Sequence, residues 1–233
     1  MKKQTNHVLS REFLNSGDYL ASFTDLPSAT VWPMNVIEKS LDEVLSGRPN
    51  LGNVWVFGYG SLMWNPLMNF SAQRAGSLQG WHRSFCLRLI AGRGSPEIPG
   101  RMLSLEPGGQ TQGLAFRIEG DDLRSELRLV WIREMVTGAY RPLWAPVSLD
   151  DGSQVEAIVF VADPTHSFYE ADAGIDVIAP LIAKAGGSLG TNEGYVSRLA
   201  ETLTKHHLHD EYIEQLASRL SSVGRQRQGE EGS

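Results

Sequence analysis

Val54-Trp55-Val56-Phe57-Gly58-Tyr59-Gly60-Ser61-Leu62-Met63-Trp64 is the stretch from which the fold is read. Val54 to Phe57 form a continuous apolar run of strand type, which stops abruptly where two glycines flank Tyr59. Glycines at a strand end let the backbone turn sharply and approach a neighbour closely, leaving N–H groups able to point at an anion or a carbonyl oxygen. A tight turn between two core segments satisfies the same residues. A phosphate-binding loop does not: Gly58-Tyr59-Gly60 lacks the third glycine of the dinucleotide fingerprint, and no Lys-Ser/Thr ending follows.

On the C-terminal side, further strands are expected at Ser84–Leu89, Met102–Leu105, Gln112–Ile118, Leu143–Leu149 and Val155–Ala162, separated by turn signals such as Pro107-Gly108-Gly109 and Asp150-Asp151-Gly152. A helical pattern (Leu123, Leu127, Val130, Trp131) interrupts them over Asp121–Met135. After Asp163-Pro164 the pattern is helical throughout, at Ile175–Ala185, Asn192–Lys205 and Glu211–Val223. Strands first and helices last predict an α+β fold whose mixed sheet curls into a barrel. On the N-terminal side, residues 1–50 form an accessory helical arm. Ser10-Arg11-Glu12-Phe13-Leu14 can open a short helix, and Asn35–Leu45 carries an apolar stripe that Gly47-Arg48-Pro49-Asn50 stops. Residues 51–223 are then the main domain, and the polar tail 224–233 reads as disordered.

Composition narrows the function classes. With 233 residues and a net charge of −6, the chain is an ordinary globular protein rather than a nucleic-acid binder. One cysteine, Cys86, excludes an internal disulfide framework and a Cys-rich metal site, and its setting in Phe85-Cys86-Leu87 suits a small core residue. The lack of a long apolar run argues against a membrane span, and the polar N-terminus against a signal peptide, so a cytoplasmic location is expected. Charge is nevertheless uneven. Arg74, Arg83, Arg88, Arg93 and Arg101 share their stretch with a single acid, Glu97, which fits loop solubility or an electropositive cleft for a small carboxylate.

Arg133-Glu134 closes the interrupting helix beside Trp131, Ile132 and Met135. Burial there would raise the carboxyl's proton affinity towards neutrality, as a general base that later returns its proton requires. A surface ion pair with Arg133 or Arg128 is the plainer alternative. His206-His207-Leu208-His209 has adjacent histidines on different faces and no carboxylate at zinc-site spacing, so no metal is expected.

Four blocks, in order, resemble the ChaC family of glutathione-specific γ-glutamylcyclotransferases. They are Val54 to Pro66; Ala91-Gly92-Arg93-Gly94 followed by Pro99-Gly100-Arg101; Trp131-Ile132-Arg133-Glu134-Met135; and Leu189-Gly190-Thr191-Asn192 ahead of Tyr195. The resemblance spans roughly residues 51–222, and the N-terminal arm and Arg133-Glu134-Met135 resemble the bacterial branch. It implies a small β-barrel surrounded by helices and conversion of reduced glutathione to 5-oxoproline and cysteinylglycine, with no cofactor or metal. By the same resemblance, the γ-glutamyl group is held by the loop from Val56 through Phe57, Gly58, Tyr59, Gly60 and Ser61 to Leu62. Glu134 carries the proton, and Tyr195 lines the site. The alternatives are a cyclotransferase for other γ-glutamyl amines or dipeptides, and a non-enzymatic regulator of cation transport. Arg83 and Arg101 are candidate partners for substrate carboxylates on chemical grounds.

Overall fold

The computed structural model describes residues 9–23, 26, 30–48 and 52–231, those from 223 onward by their backbone alone. Two compact units are present: Leu9–His82 with Leu105–Ser167, and Arg83–Ser104 with the described part of Phe168–Ser233.

A closed five-stranded barrel runs in the order β1-β3-β2-β4-β5, formed by β1 (Asn53–Gly58), β2 (Ala72–Leu89), β3 (Gly100–Glu119), β4 (Tyr140–Leu149) and β5 (Gln154–Ala162); all of it belongs to the first unit except β2 after His82 and β3 before Leu105. β1 lies antiparallel to β3, with Val56 opposite Phe116 and Gly58 opposite Leu114. It closes the barrel by a parallel pairing with β5 at Trp55–Ala157 and Val56–Ile158. Adjacent residues of a strand face opposite sides, yet Val56 and Phe57 are both fully buried. The barrel wall is therefore covered on both faces here, which explains the continuous rather than alternating apolar run. Each such side chain stabilises the fold by about 1.5–3 kcal/mol.

β2 and β3 are longer than the apolar pattern predicts. Ser84–Leu89 stands out because Ser84 to Leu87 are buried in succession, whereas Ala72–His82 is largely polar and half-exposed and carries no strong strand signal. Met102–Leu105 and Gln112–Ile118 are two parts of one strand that passes through Pro107-Gly108-Gly109. Gly108 and Gly109 take φ of +110° and +68°, so the expected turn is a bend within β3, with His82 Nδ1 against the Gly108 carbonyl at 3.2 Å.

α4 (Leu123–Glu134) packs on the barrel through Trp131, whose ring meets Phe160 of β5 edge-on at 5.0 Å. Every residue from Leu129 to Arg133 is buried, a pattern of an enclosed helix rather than a surface one. α1 (Arg11–Asn15), α2 (Asp18–Ala21) and α3 (Met34–Ser46) belong to this same unit and are tied to α4 by polar contacts. Ser10 caps α1 by accepting from the Phe13 N–H at 3.2 Å. Arg124 meets Asp42, and Arg128 meets Glu38, each at 2.7 Å.

In the second unit, α5 (Ile175–Ile182), α6 (Asn192–Lys205) and α7 (Glu211–Glu231) bury Ile178, Leu199, Leu203, Ile213 and Leu216. β6 (Gly186–Gly187) and β7 (Gly190–Thr191) make a small hairpin ahead of α6. Asn192 acts as a surrogate strand: its side chain accepts from the Arg101 N–H at 2.8 Å and donates to the Arg101 carbonyl at 3.0 Å. Helical backbone in α7 runs on to Glu231, through most of the segment read as a disordered tail. Arg225, Gln226, Arg227 and Gln228 are good helix formers able to extend a helix already nucleated by packing. Among the described residues no helix is long and apolar enough to cross a membrane.

Candidate active site

The loop after β1 is shaped by lack of space. Gly58 and Gly60 both have negative φ, so neither is needed for a left-handed turn. A Cβ on Gly58 would lie 3.0 Å from Leu62 Cβ and 3.2 Å from the Phe116 ring, so glycine is required for close packing. Gly113 on β3 plays the reciprocal part, since its Cβ would fall 2.4 Å from the Gly58 carbonyl oxygen. Beyond β1, Tyr59 points into the barrel wall and donates its hydroxyl to the Phe160 carbonyl at 2.6 Å. The chain then closes a short 3₁₀ turn over Ser61–Met63, with the Met63 N–H on the Gly60 carbonyl and the Asn65 N–H on the Ser61 carbonyl. Among the described residues no acceptor takes the N–H of Gly60, Ser61 or Leu62. Free donors at the start of such a turn suit a developing oxyanion.

Glu134 is the last residue of α4, with 16% of its side chain exposed. Its carboxyl is held above the ordinary carboxylate range: burial raises it, and the opposing charge of Arg133 lowers it by less. The carbonyl end of the helix dipole works in the same direction as burial. Arg133 Nε meets Glu134 Oε1 at 3.1 Å, so the expected ion pair forms, but in the interior and not on the surface. Arg128, the other candidate partner, is occupied by Glu38. Arg133 also donates to Ser61 Oγ at 2.7 Å and to the Asn65 carbonyl. One guanidinium thus links Glu134 to the 3₁₀ turn, bringing two motifs separated by more than seventy residues together.

Tyr19 of α2 is a neighbour that the sequence does not announce. It is buried between Phe13 and Phe23, both edge-on at 5.9 and 5.1 Å, and its hydroxyl reaches the Arg133 carbonyl at 3.5 Å. Burial first, then the charge of Glu134, raises its phenol. The turn after α4 is covered by Trp32, whose N–H donates to the Val136 carbonyl at 2.9 Å. Gly138, at φ +68°, leaves room for the Trp32 ring, which would lie 2.2 Å from an added Cβ.

The arginine-rich stretch is mostly neutralised. Arg74 meets Asp150 and Asp151 at 2.7 and 2.8 Å in the barrel unit. In the second unit, Arg83 is fully buried against Asp210 at 2.7 Å, while Arg88 and Arg101 share Glu170 at 2.8 and 3.2 Å. Arg83 and Arg101 are therefore committed to internal acids. Arg93 instead donates to the Thr191 carbonyl at 2.9 Å and sits 5.8 Å over the ring of Tyr195, itself 6% exposed and edge-on to Phe85. Tyr195 belongs to this second unit, whereas the Val56–Leu62 loop and Glu134 belong to the barrel unit. Cys86 is buried as expected.

A family model described as ChaC-like protein matches residues 54–223. The chain belongs to the ChaC family. Its match to the ChaC relative from Escherichia coli K12 named glutathione-specific gamma-glutamylcyclotransferase is 47% identical over 209 residues, 90% of each chain. The human glutathione-specific gamma-glutamylcyclotransferase 1 is 33% identical across 73% of this chain and 78% of its own. Among solved structures, the gamma-glutamyl cyclotransferase specific to glutathione from yeast aligns with a TM-score of 0.68 at 19% identity, covering 73% of this chain and 96% of its own. The ChaC fold expected from the sequence, a mixed barrel with surrounding helices, is the one found.

Proposed function

We propose that this protein degrades reduced glutathione, releasing 5-oxoproline and cysteinylglycine. The observation that carries the reading is the enclosed carboxyl of Glu134, coupled through Arg133 to the turn at Ser61. The relatives' names supply the substrate class.

In this reaction the substrate's α-amine attacks its own γ-carbonyl carbon. The new C–N bond closes a five-membered lactam, and the amide bond to cysteine breaks. Both reacting groups lie on one molecule, so proximity is built in, and no water is consumed. Two proton transfers remain: the attacking amine loses a proton and the departing nitrogen gains one. Glu134 does both, and its raised proton affinity suits a group that must first accept and then donate, worth ~10²–10⁴-fold in rate. The N–H groups of Gly60, Ser61 and Leu62 stabilise the oxyanion on the γ-carbon, with Val56, Phe57, Gly58 and Tyr59 setting the loop's base. The steps assigned to these residues are proton transfers and hydrogen bonds, and reduced glutathione as substrate is compatible with the cytoplasmic location expected from the sequence.

The test is release of 5-oxoproline from glutathione by purified protein, with γ-glutamyl-alanine and γ-glutamyl-lysine in parallel. Faster turnover of either dipeptide would replace glutathione as substrate. No turnover of any γ-glutamyl compound would return the chain to a binding or regulatory role.

A further inference from the structure

Arg133 is an expensive residue to bury, with only 6% of its side chain exposed. All three of its guanidinium nitrogens are engaged. Nε meets Glu134 Oε1, Nη2 donates to Ser61 Oγ, and Nη1 donates to the Asn65 carbonyl. A guanidinium whose task was only to neutralise a carboxylate would present two parallel N–H groups to both oxygens. Arg11 does so with Glu126, Nη1 on Oε2 and Nη2 on Oε1. Arg133 gives one nitrogen to the acid and two to the loop, 68 and 72 residues earlier in the chain. Its plane is rigid, so these three contacts fix the end of α4 against the start of the 3₁₀ turn and against Asn65, which follows its cap.

We propose that Arg133 is a positioning residue that sets the geometry between the proton-carrying Glu134 and the Ser61–Asn65 loop that receives the γ-glutamyl group. This rests on the reading of Glu134 as the acid/base. Two separable functions follow from one side chain. The charge holds down part of the proton affinity that burial confers on Glu134. The planar fork holds the loop. The titratable and charged groups that bear on Glu134 include Arg133 on its own helix and Tyr19 on α2.

The experiment measures kcat and KM for glutathione from about pH 5 to pH 9 on the full chain and on Arg133→Lys, Arg133→Met, Ser61→Ala and Glu134→Gln. Arg133→Met loses charge and fork: kcat/KM falls about 10²-fold, and the acidic limb of its pH profile moves to higher pH because the lowering charge is gone. Arg133→Lys keeps the charge but cannot span three acceptors, so kcat/KM falls while the acidic limb stays in place. Ser61→Ala removes one loop anchor, and it too lowers kcat/KM with the limb unmoved. Lys and Met variants with identical, unshifted profiles and parental kcat/KM, alongside an inactive Glu134→Gln, would overturn the positioning role and leave the acid/base reading standing. A fully active Glu134→Gln would overturn both. If Arg133→Met does not fold, as judged by near-UV circular dichroism, Arg133→Lys and Ser61→Ala decide the matter through kcat/KM at an unchanged limb.

Discussion

Glu126 and Glu134 lie eight residues apart on α4 and each meets an arginine, yet their proton affinities move in opposite directions. Glu126 accepts both terminal nitrogens of Arg11, and also the backbone N–H and side-chain amide of Asn69 at 2.6 and 3.1 Å. The Arg11 bond outweighs burial, and Asn69 adds to it, so this carboxyl is held below its ordinary value. Glu134 receives one nitrogen of an arginine whose other donors are spent on the loop, and burial wins. An adjacent guanidinium therefore does not by itself fix a carboxylate's charge. The balance between burial and the donors aimed at its oxygens decides. One end of the helix carries a structural anchor and the other the proposed acid/base.

The largest effect expected to test this contrast is on turnover. Glu134→Gln keeps the shape and removes the proposed proton carrier, so release of 5-oxoproline should fall by ~10²–10⁴-fold with the circular dichroism spectrum unchanged. Glu126→Gln should leave the chemical step nearly intact. Its damage should appear in urea unfolding, as a loss of about 2–3 kcal/mol, because the charge-assisted bonds from Arg11 and Asn69 to a buried carboxylate are lost. Comparable activity losses in the two variants, measured where both are folded, would erase the distinction between anchor and acid.

A smaller effect concerns acid stability. Glu126 has a depressed folded value, so its contribution is present above the unfolded carboxylate value of ~4.3 and is lost as pH falls through the folded one. The stability gap between parent and Glu126→Gln should therefore narrow on acidification below the unfolded value. A gap independent of pH would mean that packing, not charge, accounts for the anchor.

The same contrast shows what could be read from residues alone. β1 was readable because its burial on both faces writes a continuous apolar run, and α6 because Val196, Leu199 and Leu203 repeat at helical spacing. Glu134 was visible as an acid in an apolar helix. What a local pattern cannot carry is the partner of a polar group. Arg11 and Glu126 are 115 positions apart, and Ser61 and Arg133 are 72 apart. For the same reason the cluster Arg74 to Arg101 reads as positive potential, although Asp150, Asp151, Glu170 and Asp210 neutralise all but Arg93 among its five arginines. Tyr19 gave no signal because its segment, Asp18–Ala21, is one turn of helix held by aromatic packing rather than by periodicity.

The smallest effect has the opposite sign. Glu134 has a raised folded value, so the folded state holds a proton that the unfolded chain releases. Its contribution to stability is full below the unfolded value and is lost as pH rises through the folded one, above which a desolvated carboxylate is left. Glu134→Gln removes that penalty while its amide oxygen can still accept from Arg133 Nε. The inactive variant should therefore melt slightly higher than the parent at neutral pH, and this advantage should shrink as the pH is lowered towards the unfolded value. Thermal melts of the pair at several pH values measure it. A variant less stable at neutral pH by more than it is at acid pH would mean that the Arg133 charge outweighs burial at this site, and that Glu134 is an anchor of the Glu126 kind.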